Sequence, residues 1–252
     1  MDVRPVNKLD LHNATSRLRQ LVEEINGISC VRLHSEVQDM EKVAEQVGKG
    51  VVGPHFARSL NDIPPGHLMF VAAYSDDDRP VGMVAARYDD KPGWDLRQFL
   101  AAHWARLYPA ENPGTFAEFA HDSSMYASGL TGPFSYIGDG WINEQFRGMS
   151  LLANLQKLLI LLAYDEWKPK LTYGWMRPDK VLSGYAARWG YSIVYPCGIT
   201  WRVPPKQKDL RNVYFVAADN RGIRQLVLNQ LQPDIELEQT NSIEETSPRQ
   251  VS

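Results

Sequence analysis

The sequence predicts an α/β (α+β) domain built on a mixed sheet flanked by helices, and three observations carry that prediction. Two apolar runs, His67 to Tyr74 and Pro80 to Tyr88, flank the polar stretch Ser75-Asp76-Asp77-Asp78-Arg79 and read as a hairpin. From Phe134 onward strand-like and helix-like segments alternate. With 252 residues, 44% of them hydrophobic and 10% aromatic, the chain can bury a substantial core.

Each element has its own signal. Residues Ala14 to Ile25 carry Leu18, Leu21, Val22 and Ile25 at helical spacing, and Asn26-Gly27 supplies a stop. Ile28 to Leu33 alternates apolar and polar side chains as a strand does. Val37, Met40, Val43, Ala44 and Val47 then repeat at helical intervals until Gly48 and Gly50. The turn Pro64-Pro65-Gly66 precedes the hairpin. From Asp89 to Pro133 the texture changes to aromatics, glycines and prolines around one helix, Leu96 to Leu107, which marks an insertion or lid. The strand Phe134 to Ile142 and the helix Met149 to Trp167 follow. Next come a strand Leu171 to Met176, a helix Lys180 to Trp189, strands near Tyr191 to Tyr195 and Ile199 to Val203, an apolar run Val213 to Ala218 and a helix-like Ile223 to Leu231. The organisation expected is an N-terminal helical segment (1–27), a main domain (28–203) with its insertion (89–133), a C-terminal strand and helix extension (204–231), and a disordered tail (232–252) rich in Glu, Gln, Ser and Thr.

Composition excludes several classes. Twenty-seven basic against thirty acidic residues give a net charge of -3, which argues against wholesale binding to nucleic acid or an anionic membrane. Two cysteines, Cys30 and Cys197, form no disulfide framework and suit a reducing compartment; core packing is the expectation for Cys30, while Cys197 is read as packing in preference to a thiol nucleophile. Six histidines show no spacing that sets two ligands on one helix face, so no metal site is expected. Polar residues interrupt Met1 to Asn13, and the apolar run Leu158 to Ala163 is far below the roughly 20 residues that span a bilayer, so a cytoplasmic location is expected.

The most informative stretch is Gly138 to Leu162. A strand interrupted by Gly138 and Gly140 breaks at Arg147-Gly148-Met149-Ser150 and passes into a long apolar helix. Glycines two apart in a strand mark a bulge or the close approach of a ligand or another backbone. A helix that starts on a small-residue turn presents unpaired N–H groups and a positive dipole end, which suit phosphate oxygens. An ordinary twist point followed by a core helix would give the same pattern.

The order of elements, together with Trp141-Ile142-Asn143-Glu144-Gln145-Phe146-Arg147-Gly148 and Gly184-Tyr185-Ala186-Ala187-Arg188-Trp189-Gly190-Tyr191, resembles the GCN5-related N-acetyltransferases (GNAT) over roughly Ile28 to Val203, apart from the insertion. The resemblance implies a mostly antiparallel central sheet and acetyl-CoA as acyl-donor cosubstrate. Arg147, Gly148, Met149 and Ser150 would hold its pyrophosphate, and Gly140, Trp141 and Ile142 would pair with its pantetheine arm on a splayed strand. Ser150 and Leu152 stand where the family carries small residues, and a register on Gln145, Gly148 and Ser150 restores two of them. Ala186 stands where the family carries the tyrosine that protonates the leaving thiolate, so Tyr185, one residue earlier, and Ser183 are the candidates for that role. Tyr185 and Trp189, at i and i+4, also read as a packing pair.

The implied reaction is direct acyl transfer to an amine. A primary amine must lose a proton before it attacks a thioester, so a carboxylate or histidine is needed nearby. Asp139 ranks first, ahead of Asn143, Glu144, Glu118 and His121; a hydrogen-bonded strand residue is the alternative reading of Asp139. Trp94, His103, Trp104, Tyr108 and His121 in the insertion offer an acceptor surface or a covered core. The expected function is therefore an N-acetyltransferase acting on an amine-bearing small molecule or protein, with a homodimer allowed. The alternative is a GNAT-like module that binds CoA or a protein partner without turnover.

Overall fold

A computed structural model describes residues 6–232. The first helix, α1 (Lys8–Glu23), starts well before the predicted Ala14, because the Asn7 side chain caps it by accepting the Leu9 amide at 2.8 Å. Its Leu11, Ala14, Leu18 and Val22 face the core. Then follow β1 (Cys30–His34), α2 (Val37–Gln46), β2 (Leu68–Tyr74) and β3 (Pro80–Asp89). The predicted 96–107 helix is fragmented. It opens as α3 (Leu96–Phe99) behind a capping box from Asp95 and Gln98, then widens into a π-helical turn over Leu100–Trp104 and tightens into a 3₁₀ turn over Ala105–Leu107. The chain continues through β4 (Glu118–Phe119), β5 (Phe134–Ile142), α4 (Leu151–Trp167) and β6 (Leu171–Met176). The predicted 180–189 helix is split in two, α5 (Pro178–Leu182) and α6 (Tyr185–Arg188), by the left-handed Gly184. Last come β7 (Ile193–Tyr195), β8 (Trp201–Val203), β9 (Tyr214–Asp219) and α7 (Asn220–Leu231).

One mixed, mostly antiparallel sheet of seven strands runs β1-β2-β3-β5-β6-β9-β7, and its single parallel pair is β5 with β6. The predicted C-terminal extension is thus no appendage, since β9 lies inside the sheet between β6 and β7. The strand near Ile199 to Val203 leaves the sheet to pair β8 with β4 of the insertion. The predicted tail falls, from residue 233, outside the described residues.

Helices cover both faces. On one, α1, α4 and α7 bury Leu18, Leu155, Leu159 and Val227 against Val71, Val84, Ile137 and Val216. On the other, α2 sets Met40, Val43 and Val47 over Phe70 and Met83, and beside it the insertion packs Phe99, Leu100 and Trp104 over Tyr173 and Phe215. Helix α4 is apolar almost all round and buries Leu151, Leu155, Leu158 and Leu159. Each such leucine contributes about 1.5–3 kcal/mol.

Candidate active site at the parting of β5 and β6

The β5 strand changes parity halfway along. Ile137 and Ile142, an odd number apart, both face the α4 side, whereas Tyr136 and Trp141 both pack on the α2 side. A regular strand cannot do this. The inserted residue is Asp139, at φ 54°, where the pairing with β3 jumps from Ala85↔Gly138 to Met83↔Trp141. Asp139 thereby turns toward the loop after α2, and its Oδ2 accepts the Gly53 amide at 2.6 Å with Lys49 Nζ 3.4 Å away. Its Oδ1 has no partner among the described residues. Burial raises the Asp139 pKa, and Lys49 and the Gly53 amide only partly oppose it.

Ahead of the bulge, after Tyr136, the pairing of β5 with β6 ends. Their parallel pairing covers only Phe134↔Leu171, Ser135↔Thr172 and Tyr136↔Tyr173. At Gly174, the next position, a Cβ would lie 3.0 Å from the Ile137 carbonyl and 2.9 Å from the Tyr191 hydroxyl, so a side chain there would crowd both. The buried Tyr191 therefore brings its hydroxyl to the point where the strands part, on the α4 side, and that oxygen accepts a hydrogen bond from Gln156 of α4 at 2.6 Å. Burial raises the Tyr191 pKa.

The Arg147-Gly148-Met149-Ser150 turn is exposed and leads straight into α4. Gly148 at φ 87° and Ser150 at φ 60° bend the chain through left-handed conformations, and the Ser150 side chain caps nothing. The first N–H groups of α4 consequently have no intrahelical acceptor. Arg147 leans toward Trp141 and pairs with Glu144 at 2.9 Å, both side chains remaining largely exposed. Gly140 faces α4, where Leu152 covers it, and Ile142 is buried in the core. Leu152 thus lies against the sheet and not in the turn. Of the seven residues expected to hold a cosubstrate, Arg147, Gly148, Met149 and Ser150 are exposed at the turn, whereas Ile142 is buried.

The expected catalytic trio does not converge. Asp139 faces the α2 side, while Tyr185 packs edge-on against Trp189 at the core of the α4 side. Ser183 is exposed, and its hydroxyl donates to the Asp179 carbonyl at 2.8 Å.

The α2 side instead gathers His55 and Arg87, which sequence reasoning passed over, with His103, Trp104 and Tyr108 of the insertion, which it named. His55, from the loop that also carries Gly53, is buried against the ring of Trp104 and 4.7 Å from that of Tyr136, and its Nε2 lies 2.6 Å from the Tyr108 hydroxyl. Burial first, then the nearby Arg87, holds its pKa well below the usual value. Arg87 itself donates to the His55 carbonyl, Asn61, Asp89 and His103 Nε2. His103 and Trp104 of the insertion therefore belong to a buried network beside the bulge, as does Tyr108. Trp94 is 43% exposed and Glu118 pairs with Arg202, and no described contact joins either to this network. Only the aromatic richness of 94–136 hinted at this cluster in the sequence.

No group of three or more potential metal-ligating side chains occurs among the described residues, and no helix there is long and apolar enough to cross a membrane. No family model matches the chain. No curated protein matches it either. Among solved structures the chain is similar to Arabidopsis thaliana NAA60 in complex with a bisubstrate analogue, at 10% identity over 75% of this chain and 98% of that one, with a TM-score of 0.39. It is also similar to the aminoglycoside acetyltransferase AAC(6')-Ib in complex with coenzyme A and kanamycin, at 10% identity over 77% and 98%, with a TM-score of 0.43. A third is RimL, a ribosomal L7/L12 alpha-N-protein acetyltransferase, at 12% identity over 77% and 96%, with a TM-score of 0.39. A likeness this loose adds nothing to the geometry.

Proposed function

We propose that the chain is an acyl-CoA-dependent N-acyltransferase that moves an acetyl group from acetyl-CoA to a primary amine. The observation that carries this reading is the parting of β5 from β6 beside a helix whose N-terminus is left open by a left-handed turn. Separated parallel strands expose backbone donors and acceptors to an extended amide-bearing arm, and open helix N–H groups with a nearby arginine suit a pyrophosphate.

Arg147 and the amides of Gly148, Met149 and Ser150 would hold the phosphates, and the β5 backbone from Gly140 to Ile142 would face the arm. Acetyl-CoA, when bound, supplies a thioester-activated acyl group. Asp139 is the proton acceptor for the amine, through its unpartnered Oδ1; its raised pKa brings it closer to the range where a general base works at neutral pH. A β5 backbone amide beside the bulge is the donor for the tetrahedral oxyanion. Tyr191 is the proton donor to the departing sulfur. Its hydroxyl accepts from Gln156 and keeps its own proton for the gap, in the place that neither Tyr185 nor Ser183 occupies. The amine approaches Asp139 from the α2 side.

Melting curves with acetyl-CoA, desulfo-CoA and ATP test the binding half. Acetyl-CoA at about 100 times its dissociation constant adds about 2.7 kcal/mol, and no stabilisation overturns the proposal. Thiol release across a panel of amines and N-terminal peptides tests the transfer half. Binding without release from any amine would support a non-turnover CoA-binding module.

A further inference from the structure

At the end of the sheet remote from the α4 N-terminus, where β5 and β6 begin and β9 ends, a cleft of about 600 Å3 opens between the insertion and the start of α7. Its floor is aromatic. Tyr126 and Tyr195 stack with ring centroids 4.8 Å apart and planes 12° apart, and Tyr126 lies 4.6 Å from the buried ring of Phe215. Tyr195 is 43% exposed, so a flat aromatic face looks into the opening. The Tyr126 hydroxyl is held by the Gly198 carbonyl at 2.8 Å, which fixes the ring.

The rim carries two cations and one carboxylate. Lys170 and Arg221 both line the cleft, and neither side chain has an ion pair, a hydrogen bond or a ring contact among the described residues. The one carboxylate on the rim, Asp219, is already engaged by the Arg221 and Gly222 amides at 3.0 and 2.9 Å as the cap of α7. Two free cations above a rigid aromatic slot are complementary to a molecule with a flat ring and a negative group. The volume lies in the range of small-molecule sites, which are mostly apolar with a few polar groups that fix orientation.

We propose that this cleft is a second binding site, separate from the acyl-transfer site, for a small planar aromatic anion whose ring stacks on Tyr195 and whose charge lies between Lys170 and Arg221. The test is calorimetric titration of 2-naphthoate into the full chain, with uncharged 2-naphthamide as the matched control. The expected results are saturable binding of one naphthoate, about tenfold weaker binding of the amide, and a loss of about tenfold or more in Lys170→Ala/Arg221→Ala and in Tyr195→Ala. The shift in melting temperature that acetyl-CoA produces in each variant should match that in the parent, which separates this site from the acyl-transfer reading. Absence of saturable binding, equal affinity for the amide, or unchanged affinity in the double variant overturns the proposal. Binding that appears only after residues 233–252 are removed would assign the cleft to the acidic C-terminal segment of the chain, and overturns it too.

Discussion

The Asp139 carboxylate accepts the Gly53 amide at 2.6 Å, and this contact ties the bulge of β5 to the loop that carries His55. Removing the acceptor leaves the part-buried Gly53 N–H without a partner and takes from Lys49 its carboxylate, though the Val51 carbonyl still accepts from it, so Asp139→Ala is expected to cost about 1–3 kcal/mol. Asp139→Asn keeps an oxygen for Gly53 and should cost less. Burial raises the native pKa of this acid, so its contribution to stability is fully present at low pH and is lost as pH rises through that raised value. The stability of the parent relative to Asp139→Asn, from urea unfolding, should therefore decline with rising pH. A difference that grows with pH would show that the ion pair with Lys49 outweighs desolvation.

Tyr191 is assigned a chemical role distinct from its packing role. Tyr191→Phe should lower turnover by about 10²–10⁴-fold while the acetyl-CoA melting shift persists, and Tyr185→Phe should change turnover little. Turnover that survives in Tyr191→Phe and is lost in Tyr185→Phe would return the acid to α6.

Gly174 is the point where side-chain volume closes the gap between the strands. In Gly174→Ala the new methyl meets the Ile137 carbonyl and the Tyr191 hydroxyl, at a cost of about 1–3 kcal/mol, and should weaken acetyl-CoA binding as well. Thermal melts with and without acetyl-CoA read both effects.

His103 accepts a hydrogen bond from Arg87 at 2.6 Å and must be neutral at Nε2 to do so. Burial, then Arg87 and Arg106, lowers its pKa from 6.5 to about 3. The stability this neutral ring contributes is present above pH 6.5 and is lost as pH falls toward 3, where the unfolded chain takes up a proton that the native ring refuses. His103→Gln retains an acceptor for Arg87 and should flatten that acid limb in pH-dependent melts.

Much of the fold follows from periodicity. The α4 leucines and the apolar β2 and β3 runs are long, regular patterns in which local preference and tertiary burial agree. Other features depend on contacts remote in sequence. Gly138 and Gly140 mark the bulge of β5, but nothing in the sequence makes Asp139 its left-handed residue, because Asp139 adopts that conformation to reach Gly53, 86 positions earlier. The apolar run of β9 marks a strand, but its place between β6 and β7 is decided by long-range pairing. The turn before α4 was legible because its conformation lies in consecutive residues. Tyr191 was visible only as an aromatic beside Gly190, since its role rests on where Gly174 and Gln156 meet it.

The central claim is that acetyl-CoA sits with its diphosphate at the turn before α4 and its thioester where β5 and β6 part. Calorimetric titration of acetyl-CoA into the parent chain and Arg147→Glu tests it most directly. The account requires saturable one-to-one binding in the parent and a loss of about a hundredfold in the variant at unchanged melting temperature. No heat in the parent, or equal affinity in Arg147→Glu, would contradict it.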